Sequence, residues 1–378
     1  MTINKVVIDQ FTINSYLLAF ICSALFIGLY VFKVARIKIM PQGLDGVCTA
    51  LFRVLAVLPW TLLCSNRAIT VGYDTKNYFA NYFAISRTAS IDYQYLLDSP
   101  GYYVLNKILY PLDKNTPYPI YFAMAFIALY VVILALDRIC EKPYYITYGF
   151  LFFILMFGPR MMDQSRQFIA VAFTMLAYTY LAYDDRKRFI IYMIVGGIFH
   201  TSCLLFIMFL FFYKKQINRR YLVIVLSATT LVLIVFVDRV LNIVYNHLPQ
   251  AYAYIKMQGG ENTGFGLGGL LDILPAIIFL IVYYYILWRY NISKNVSCLE
   301  ACSYSVLVFR VAGYSSFFLM RMFYYGAAVS IVLHLISIHE MRRNKVLLIF
   351  ELLGMIGYCY VVYFYLNTSL TVPYIVAH

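Results

Sequence analysis

Long apolar segments recur along almost the whole chain, separated by short polar stretches. Most are close to the length of about 20 residues that an α-helix needs to cross the hydrocarbon core of a bilayer. They predict about ten membrane-spanning helices, at residues 14–32, 48–65, 118–136, 144–158, 166–183, 221–237, 268–288, 299–318, 322–338 and 346–366. We therefore expect an all-α polytopic membrane protein, organised as a single transmembrane domain over residues 1–378.

One further apolar segment, residues 189–213, is interrupted near its middle and is basic at both ends. The interruption consists of Gly196, Gly197, His200, Thr201 and Ser202. Cytoplasmic loops are enriched in Lys and Arg. If this segment enters and leaves on the cytoplasmic side, most of the 30 Lys and Arg residues lie inside, whereas a single crossing reverses the balance. We predict a re-entrant pair of half-helices meeting near His200, with the broken backbone buried in protein or lining a wet cavity.

This topology puts two sizeable loops on the extracytoplasmic side of the membrane, at about residues 66–117 and 238–267, the first of them rich in tyrosine. Composition supports the membrane assignment, since 63% of the residues are hydrophobic and 12% are charged. A soluble domain carries about 25% charged residues, and disorder needs low hydrophobicity. The net charge of +13 is therefore attributed to cytoplasmic loops, and no nucleic-acid partner is expected.

Arginines near the predicted outer boundary are the main candidates for substrate binding. Arg160 and Arg166 flank one boundary, where Arg166 and Gln167 open a helix. Arg310 lies within a predicted span, and Arg321 follows three helical turns later, on the same face if the helix is unbroken. Guanidinium groups bind phosphate bidentately, and a helix N-terminus adds positive potential. Together they predict a diphosphate clamp at the outer leaflet.

Simpler roles are open for the same arginines. Arg160 and Arg166 could extend to lipid headgroups, and Arg310 could form an internal ion pair with Asp272. Charged residues within spans are nevertheless costly and are functional candidates by default.

Two residues could handle a proton. Asp74, just beyond the second span, could act as a general base, hold an arginine or bind a sugar hydroxyl; alternatively it caps the following segment. His200 could accept a proton or donate a hydrogen bond at neutral pH, or be structural. The chain contains no DxD or HExxH motif, so neither a metal nor a cofactor is predicted.

Several short motifs, taken in order, resemble the EpsG-like branch of the Wzy family, the integral-membrane polymerases of bacterial surface polysaccharides. They are Gly72-Tyr73-Asp74-Thr75 followed by Tyr78, Arg166-Gln167-Phe168-Ile169-Ala170, Phe199-His200-Thr201-Ser202, and Arg321 followed by Tyr324-Tyr325. One position departs from the family pattern. Ser99 stands where the family commonly has a glutamate, with Asp98 beside it, so the role of that glutamate is not assigned to this chain.

The resemblance implies a GT-C-like glycosyltransferase in the bacterial cytoplasmic membrane, with its active site facing the periplasm or exterior. Such an enzyme moves a growing O-antigen, capsule or exopolysaccharide chain from undecaprenyl diphosphate onto a hydroxyl of a lipid-linked repeat unit. Its implied partners are that undecaprenyl-diphosphate-linked oligosaccharide, membrane lipid and a chain-length regulator protein.

Residue roles follow from the same resemblance. Arg166 and Arg321 would offset charge on the diphosphate, and Asp74 or His200 would orient or deprotonate the acceptor hydroxyl. The remaining predicted substrate-binding residues are Arg160, Arg310, Tyr73, Gln167 and Tyr324.

Other classes of membrane protein share some of these features. A flippase of the lipid-linked repeat also uses broken helices and intramembrane charge, although no inverted halves are evident. A membrane-bound acyltransferase would also use a histidine within the membrane. A ligase of the same broad family, joining the glycan to a different acceptor, is the closest alternative.

Overall fold

The computed structural model describes residues 10–35, 42–88, 93–214, 267–289, 296–312, 317–340 and 345–376, with isolated positions between 221 and 239. These residues form helices, with one isolated β-bridge between Arg67 and Val376. The predicted all-α class is therefore confirmed. The outer loop at 238–267 and most of the span at 221–237 lie outside the described residues.

The helices follow one another along the chain with short connections. In chain order they are α1 (Gln10–Ala35), α2 (Gln42–Ser65), α3 (Thr75–Arg87), α4 (Tyr93–Asp98), α5 (Pro100–Leu109), a 3-10 turn (Tyr110–Leu112), α6 (Tyr118–Ile139), α7 (Pro143–Asp163), α8 (Ser165–Ala182), α9 (Arg186–Phe199), a 3-10 helix (Thr201–Phe212), α10 (Leu267–Arg289), α11 (Ser297–Ala312), α12 (Phe317–Glu340), α13 (Lys345–Cys359) and a π-helical turn (Tyr360–Tyr365).

Six segments within the described residues are long and apolar enough to cross a membrane. They are Gln10–Lys33, Gly46–Ser65, Tyr118–Ile139, Pro143–Asp163, Met320–Ile338 and Val346–Tyr365. Each coincides with a span predicted from the apolar pattern. Helices α8, α10 and α11 lie at three further predicted spans.

The chain groups into two compact units, and the first is built around α7. This unit comprises Met1–Thr179, Lys187–Leu204 and Arg342–His378. Helix α7 packs against α1, α2, α6 and α13, and all its side chains from Phe150 onwards are buried. A helix that is apolar all round belongs in a core, so the two charged residues of its last turn, Arg160 and Asp163, are buried as well.

The second unit comprises Tyr180–Arg186 and Leu205–Met341 and is built around α12. Helix α12 packs against α10 and α11. A Cβ atom added to Gly326 of α12 would lie 2.8 Å from the carbonyl oxygen of Cys302 in α11. The glycine therefore allows a close backbone approach between these two helices.

The predicted outer loop at 66–117 contains helices rather than irregular chain. Helix α3 buries Thr75, Tyr78, Tyr82 and Ile85, whose spacing of three and four residues defines one helical face. Helix α5 begins with Pro100, a residue favoured at the first helical position. The mixture of tyrosines and charged residues in this stretch thus reflects amphipathic helices.

The chain reverses direction at His200, between α9 and the following 3-10 helix. The Sγ atom of Cys203 lies 3.5 Å from the carbonyl oxygen of Met193; in one continuous helix these residues would be separated by about 15 Å along the axis. A Cβ atom on Gly197 would lie 2.8 Å from a side-chain carbon of Leu204. The chain therefore folds back at His200, so that the first residues of the second arm pack against the end of α9.

Neither arm of this reversal is long enough to span a bilayer. Helix α9 has 14 residues and the 3-10 helix has 12, lengths of about 21 and 24 Å, against a hydrocarbon core of about 30 Å. This is the geometry of the two half-helices predicted from the sequence. The side of the membrane on which they begin and end stays a prediction.

Candidate functional site

Two loops of the first unit dock closely against each other: the GYDT loop (residues 72–75) and the α7–α8 turn (residues 160–167). Gly72 has a φ of +87°, a conformation that glycine adopts without strain. A Cβ atom at Gly72 would lie 3.1 Å from the Cα atom of Asp163, so a larger residue would push the loops apart. The backbone N–H of Asp74 donates to Oδ1 of Asp163 at 2.8 Å.

A buried arginine, Arg67, ties these loops to the end of α2. Its side chain is 1% exposed. Nε donates to Oγ1 of Thr75, and Nη2 donates to Oγ of Ser165, both at 3.2 Å; Nη1 donates to the carbonyl of Cys64. The ring of Tyr121 lies 4.0 Å from the guanidinium carbon. Across the described part of the chain, no carboxylate forms an ion pair with Arg67.

Asp74 lies at the start of α3 without capping that helix. It occupies the N-cap position, but its side chain makes no capping hydrogen bond; instead its backbone carbonyl accepts from the N–H groups of Asn77 and Tyr78. The residue is only 7% exposed. Asp74 is therefore a buried residue, and its role in catalysis stays a prediction. The alternative role as a helix cap is not what the structure shows.

Arg166, in the first turn of α8, lies between two tyrosine rings and an aspartate. Its guanidinium carbon is 5.0 Å from the ring centre of Tyr102 and 5.8 Å from that of Tyr78, within cation–π range. Its Nη1 atom is 3.3 Å from Oδ2 of Asp98. Its backbone N–H donates to the hydroxyl of Tyr78 at 3.4 Å. Gln167 beside it is buried, whereas Tyr73 in the GYDT loop is exposed.

Burial raises the pKa of the Tyr102 hydroxyl, and the neighbouring charge of Arg166 acts in the opposite direction. Tyr102 therefore stays neutral at physiological pH. Its ring remains an aromatic surface for the guanidinium.

Arg160 fastens the C-terminal segment to the α7–α8 turn. Its Nε atom donates to the hydroxyl of Tyr363 and its Nη2 atom to Oγ1 of Thr368, both at 3.2 Å. The same segment reaches the GYDT loop, where the N–H of Gly72 donates to the carbonyl of Leu370 at 2.8 Å. Arg160 thus bonds within the protein rather than extending to lipid headgroups. Its contact with a diphosphate stays a prediction.

His200 lies at the chain reversal, next to the start of α5. Its Nδ1 atom is 2.6 Å from Oγ of Ser202. The hydroxyl of Ser99 donates to the carbonyl of Phe199 at 2.6 Å, and a Cβ atom on Gly101 would lie 2.8 Å from Ile198. The consecutive residues Asp98 and Ser99 therefore connect Arg166 with the neighbourhood of His200.

The other candidate residues, Arg310, Arg321 and Tyr324, lie in the second unit, and all three are buried. Helix α11 ends at Ala312 and α12 begins at Phe317, so the two arginines lie on different helices. The expected shared face, which required an unbroken helix, therefore does not apply. The side chain of Asp272, the alternative ion-pair partner of Arg310, lies outside the described part. Participation of Arg310, Arg321 and Tyr324 in one site with Arg166 stays a prediction.

Arg67 and Asp163 are the residues of this site that the sequence interpretation missed. Asp163 stands three residues from both Arg160 and Arg166, a charge density that is unusual at the end of an apolar helix. Arg67 follows the second span directly and precedes the GYDT motif by five residues. Both signals are weak, because the contacts that join the two loops, Arg67 with Ser165 and Asp163 with Asp74, are distant in the chain.

The donors gathered at these loops suit an anionic ligand. Guanidinium groups and tyrosine hydroxyls bind phosphate oxygens through charge-assisted or neutral hydrogen bonds. In the residues that the structure describes, no group of three or more His, Cys, Asp or Glu side chains is close enough to hold a metal ion.

Comparison with known proteins gives one family. The family model of the EpsG family matches residues 50–376, from α2 to the end of the C-terminal segment, including the GYDT loop, the α7–α8 turn and the reversal at His200. No curated protein and no solved structure matches significantly. Because the family match covers most of the chain, this protein belongs to the EpsG family.

Proposed function

We propose that this protein polymerises a bacterial surface polysaccharide on the outer face of the cytoplasmic membrane. It transfers the growing glycan from undecaprenyl diphosphate to a hydroxyl of a lipid-linked repeat unit. The observation that carries the proposal is the docking of the GYDT loop on the α7–α8 turn, in a chain that belongs to the EpsG family. This docking joins the loop that carries Asp74 to the turn that carries Arg166.

The reaction exchanges one bond at the anomeric carbon of the donor sugar. The acceptor hydroxyl oxygen forms the new C–O bond, and the bond from the anomeric carbon to the diphosphate oxygen breaks. The bonding electron pair leaves with the diphosphate, and the hydroxyl proton passes to a protein base. Negative charge therefore grows on the leaving group, where preorganised cationic donors lower the barrier.

Arg166 is the residue of the first unit best suited to that leaving group. It stands in the first turn of α8, where the helix dipole favours an anion, and its side chain is 19% exposed. Arg160, in the same α7–α8 turn, is proposed to supply further positive charge. With arginines in this role, the chemistry needs no metal ion.

Two residues are proposed as the base. Asp74 is a carboxylate in a restricted environment, and such a group can accept a proton when its hydroxyl partner is aligned. His200 has its Nδ1 atom hydrogen-bonded to Ser202. This contact orients the imidazole ring, and Nε2 is then the nitrogen proposed to accept the proton. Comparison of Asp74→Asn with His200→Gln distinguishes them, because loss of the true base lowers kcat and removes the corresponding limb of the pH profile.

Reconstitution tests the proposed activity directly. Purified protein in lipid vesicles, supplied with its lipid-diphosphate-linked repeat unit and no nucleotide, is expected to produce a ladder of longer glycans. Movement of the lipid between leaflets without a ladder would show a transporter. Transfer of a single glycan to another acceptor would show a ligase.

Matched arginine variants locate the activity. Arg166→Ala is expected to lower elongation at least 100-fold, the scale of losing one oxyanion-stabilising donor. Arg87 is the control, since it is an arginine of the α3 helix that carries Tyr78, and it lies over the ring of Phe83 at 4.6 Å. Equal activity of Arg166→Ala and Arg87→Ala would remove Arg166 from the site.

A further inference from the structure

The Nη1 edge of the Arg166 guanidinium is occupied by a carboxylate of the protein itself. Asp98 Oδ2 lies 3.3 Å from Nη1, and the Asp98 side chain is 68% exposed. Tyr78 and Tyr102 contact the same guanidinium through their rings. A guanidinium stacks on aromatic rings through its faces and binds oxyanions through its N–H edges. Asp98 therefore occupies an edge where a phosphate oxygen would bind.

The neighbouring residues hold Asp98 in this position. Ser99 is bonded to the carbonyl of Phe199 at 2.6 Å, and the backbone at Gly101 packs against Ile198. The chain on the C-terminal side of Asp98 is thus anchored on the end of α9. Little additional ordering is needed to present the carboxylate to Arg166.

The same pair is weak enough to be exchanged. Ion pairs with a solvent-exposed partner contribute little to stability, since water screens the charges and the side chain loses freedom. A diphosphate carries more charge than a carboxylate and offers more oxygens in the geometry that arginine favours. It can therefore displace Asp98, whereas an anion with a single negative charge gains little over the carboxylate already present.

We propose that Asp98 is an autoinhibitory counter-ion, which occupies Arg166 in the substrate-free protein and is displaced by the diphosphate of the lipid-linked glycan. This inference rests on the proposed function. It gives Asp98 a role as a built-in competitor, because an anion that binds this edge of Arg166 must first break the Asp98 pair.

Removal of the Asp98 charge should therefore strengthen substrate binding rather than weaken it. For Asp98→Asn we expect a KM for the lipid-linked repeat about two- to fivefold lower, the range that an exposed ion pair allows, with kcat changed less than twofold. Inhibition by undecaprenyl diphosphate should become stronger by a similar factor. Unchanged KM and inhibition would overturn the inference.

Asp113 provides a matched control for the loss of one negative charge. It lies in the same outer segment, where its Oδ1 atom accepts the backbone N–H groups of Asn115 and Thr116. The hydrogen bond from the Thr116 hydroxyl, followed by these two backbone hydrogen bonds, lowers the pKa of Asp113, so it is ionised at neutral pH. Asp113→Asn retains an acceptor oxygen for this turn. An equal fall in KM in both variants would show a general charge effect and would overturn the inference.

A double-variant cycle separates this inference from the proposed function. Binding of undecaprenyl diphosphate to the full-length detergent-solubilised protein is measured for wild type, Asp98→Asn, Arg166→Gln and the combined variant. The gain from Asp98→Asn should vanish when Arg166 is replaced; a gain that persists would show that Asp98 acts elsewhere. Failure of the wild type to elongate any lipid-linked repeat contradicts the proposed function. Normal elongation by the wild type, with the same affinity for undecaprenyl diphosphate in Asp98→Asn as in the wild type, contradicts only this inference.

Discussion

Two arginines of the first unit, Arg53 and Arg67, are held by different kinds of partner. Arg53 pairs with Asp137 at 2.7 Å and donates to the hydroxyl of Tyr30 at 3.2 Å, while Tyr30 donates to the same aspartate at 2.7 Å. Arg67 is bonded to two hydroxyls and a carbonyl and lies against Tyr121. One guanidinium is neutralised by a carboxylate, and the other is solvated by neutral groups.

The two arginines lie near opposite ends of α6. Tyr121, which contacts Arg67, is in the first turn of that helix, and Asp137, which pairs with Arg53, is in the last. The separation is about 24 Å at 1.5 Å per residue. At the Arg53 end the positive charge is neutralised by an ion pair that connects α1, α2 and α6. At the Arg67 end a cation positions the loops that carry Asp74 and Arg166.

The difference suggests how a membrane protein separates stability from function. A carboxylate beside an arginine cancels most of its field, whereas neutral oxygens stabilise the cation without cancelling its charge. The Arg67 end is therefore better suited to an anionic substrate.

Replacement of Arg67 should affect activity most strongly. Arg67→Met removes the hydrogen bonds that hold Thr75 and Ser165, so the GYDT loop and the α7–α8 turn lose their common anchor. We expect elongation per folded molecule to fall at least 100-fold, as small displacements of catalytic groups can do. Arg67→Lys, which retains the charge but not the three-way geometry, should recover part of this loss. Full activity in Arg67→Met at wild-type stability would contradict the positioning role.

Replacement of Arg53 should instead affect stability. Arg53→Met leaves Asp137 without its cation, and loss of one partner of a buried pair is destabilising; since Arg53 is 23% exposed, we expect about 2 kcal/mol after allowance for screening. The unfolding transition should shift while elongation per folded molecule stays within about twofold. The combined change Arg53→Met and Asp137→Leu should recover most of the stability. A loss of activity in Arg53→Met without a loss of stability would show that Arg53 serves function rather than stability.

Gly72 tests the close contact between the two loops. Gly72→Ala adds a Cβ atom 3.1 Å from the Asp163 backbone at a positive φ, which should cost about 1–2 kcal/mol and displace Asp74. Elongation should fall about tenfold. Gly354→Ala in α13 is a control, because nothing lies within 4 Å of an added Cβ atom there. Equal losses of elongation in the two variants would show that the close contact at Gly72 is not required for activity.

Asp163 separates a hydrogen bond from a charge at the same position. Asp163→Asn retains an oxygen that can accept the backbone N–H of Asp74, so the free energy of unfolding should change by less than about 1 kcal/mol. Asp163→Leu leaves that buried N–H unsatisfied and should cost about 1–3 kcal/mol. Thermal unfolding of the two variants measures the difference. A larger loss in the asparagine variant would show that the negative charge, not the acceptor, is what matters.

The helices were predictable because they depend on local properties of the chain. The length of an apolar run determines whether it can span a bilayer, and the described spans agree with this pattern. The interruption Gly196-Gly197 followed by His200 likewise predicted the chain reversal, since small and polar residues weaken a helix locally. The helices between residues 75 and 109 were missed, because their amphipathic faces are short and lie between charged residues.

The sequence by itself determined the membrane fold, the break at His200 and the motifs that carry Asp74 and Arg166. The tertiary structure decided which residues hold those motifs together. Arg67 meets Ser165 across 98 positions of the chain, and Asp163 meets Asp74 across 89. Their partners are mostly hydroxyls and backbone groups, which occur throughout any sequence and do not mark a contact. Only packing around α7 brings these groups within hydrogen-bond distance, and there the buried charge of Arg67 acquires its role.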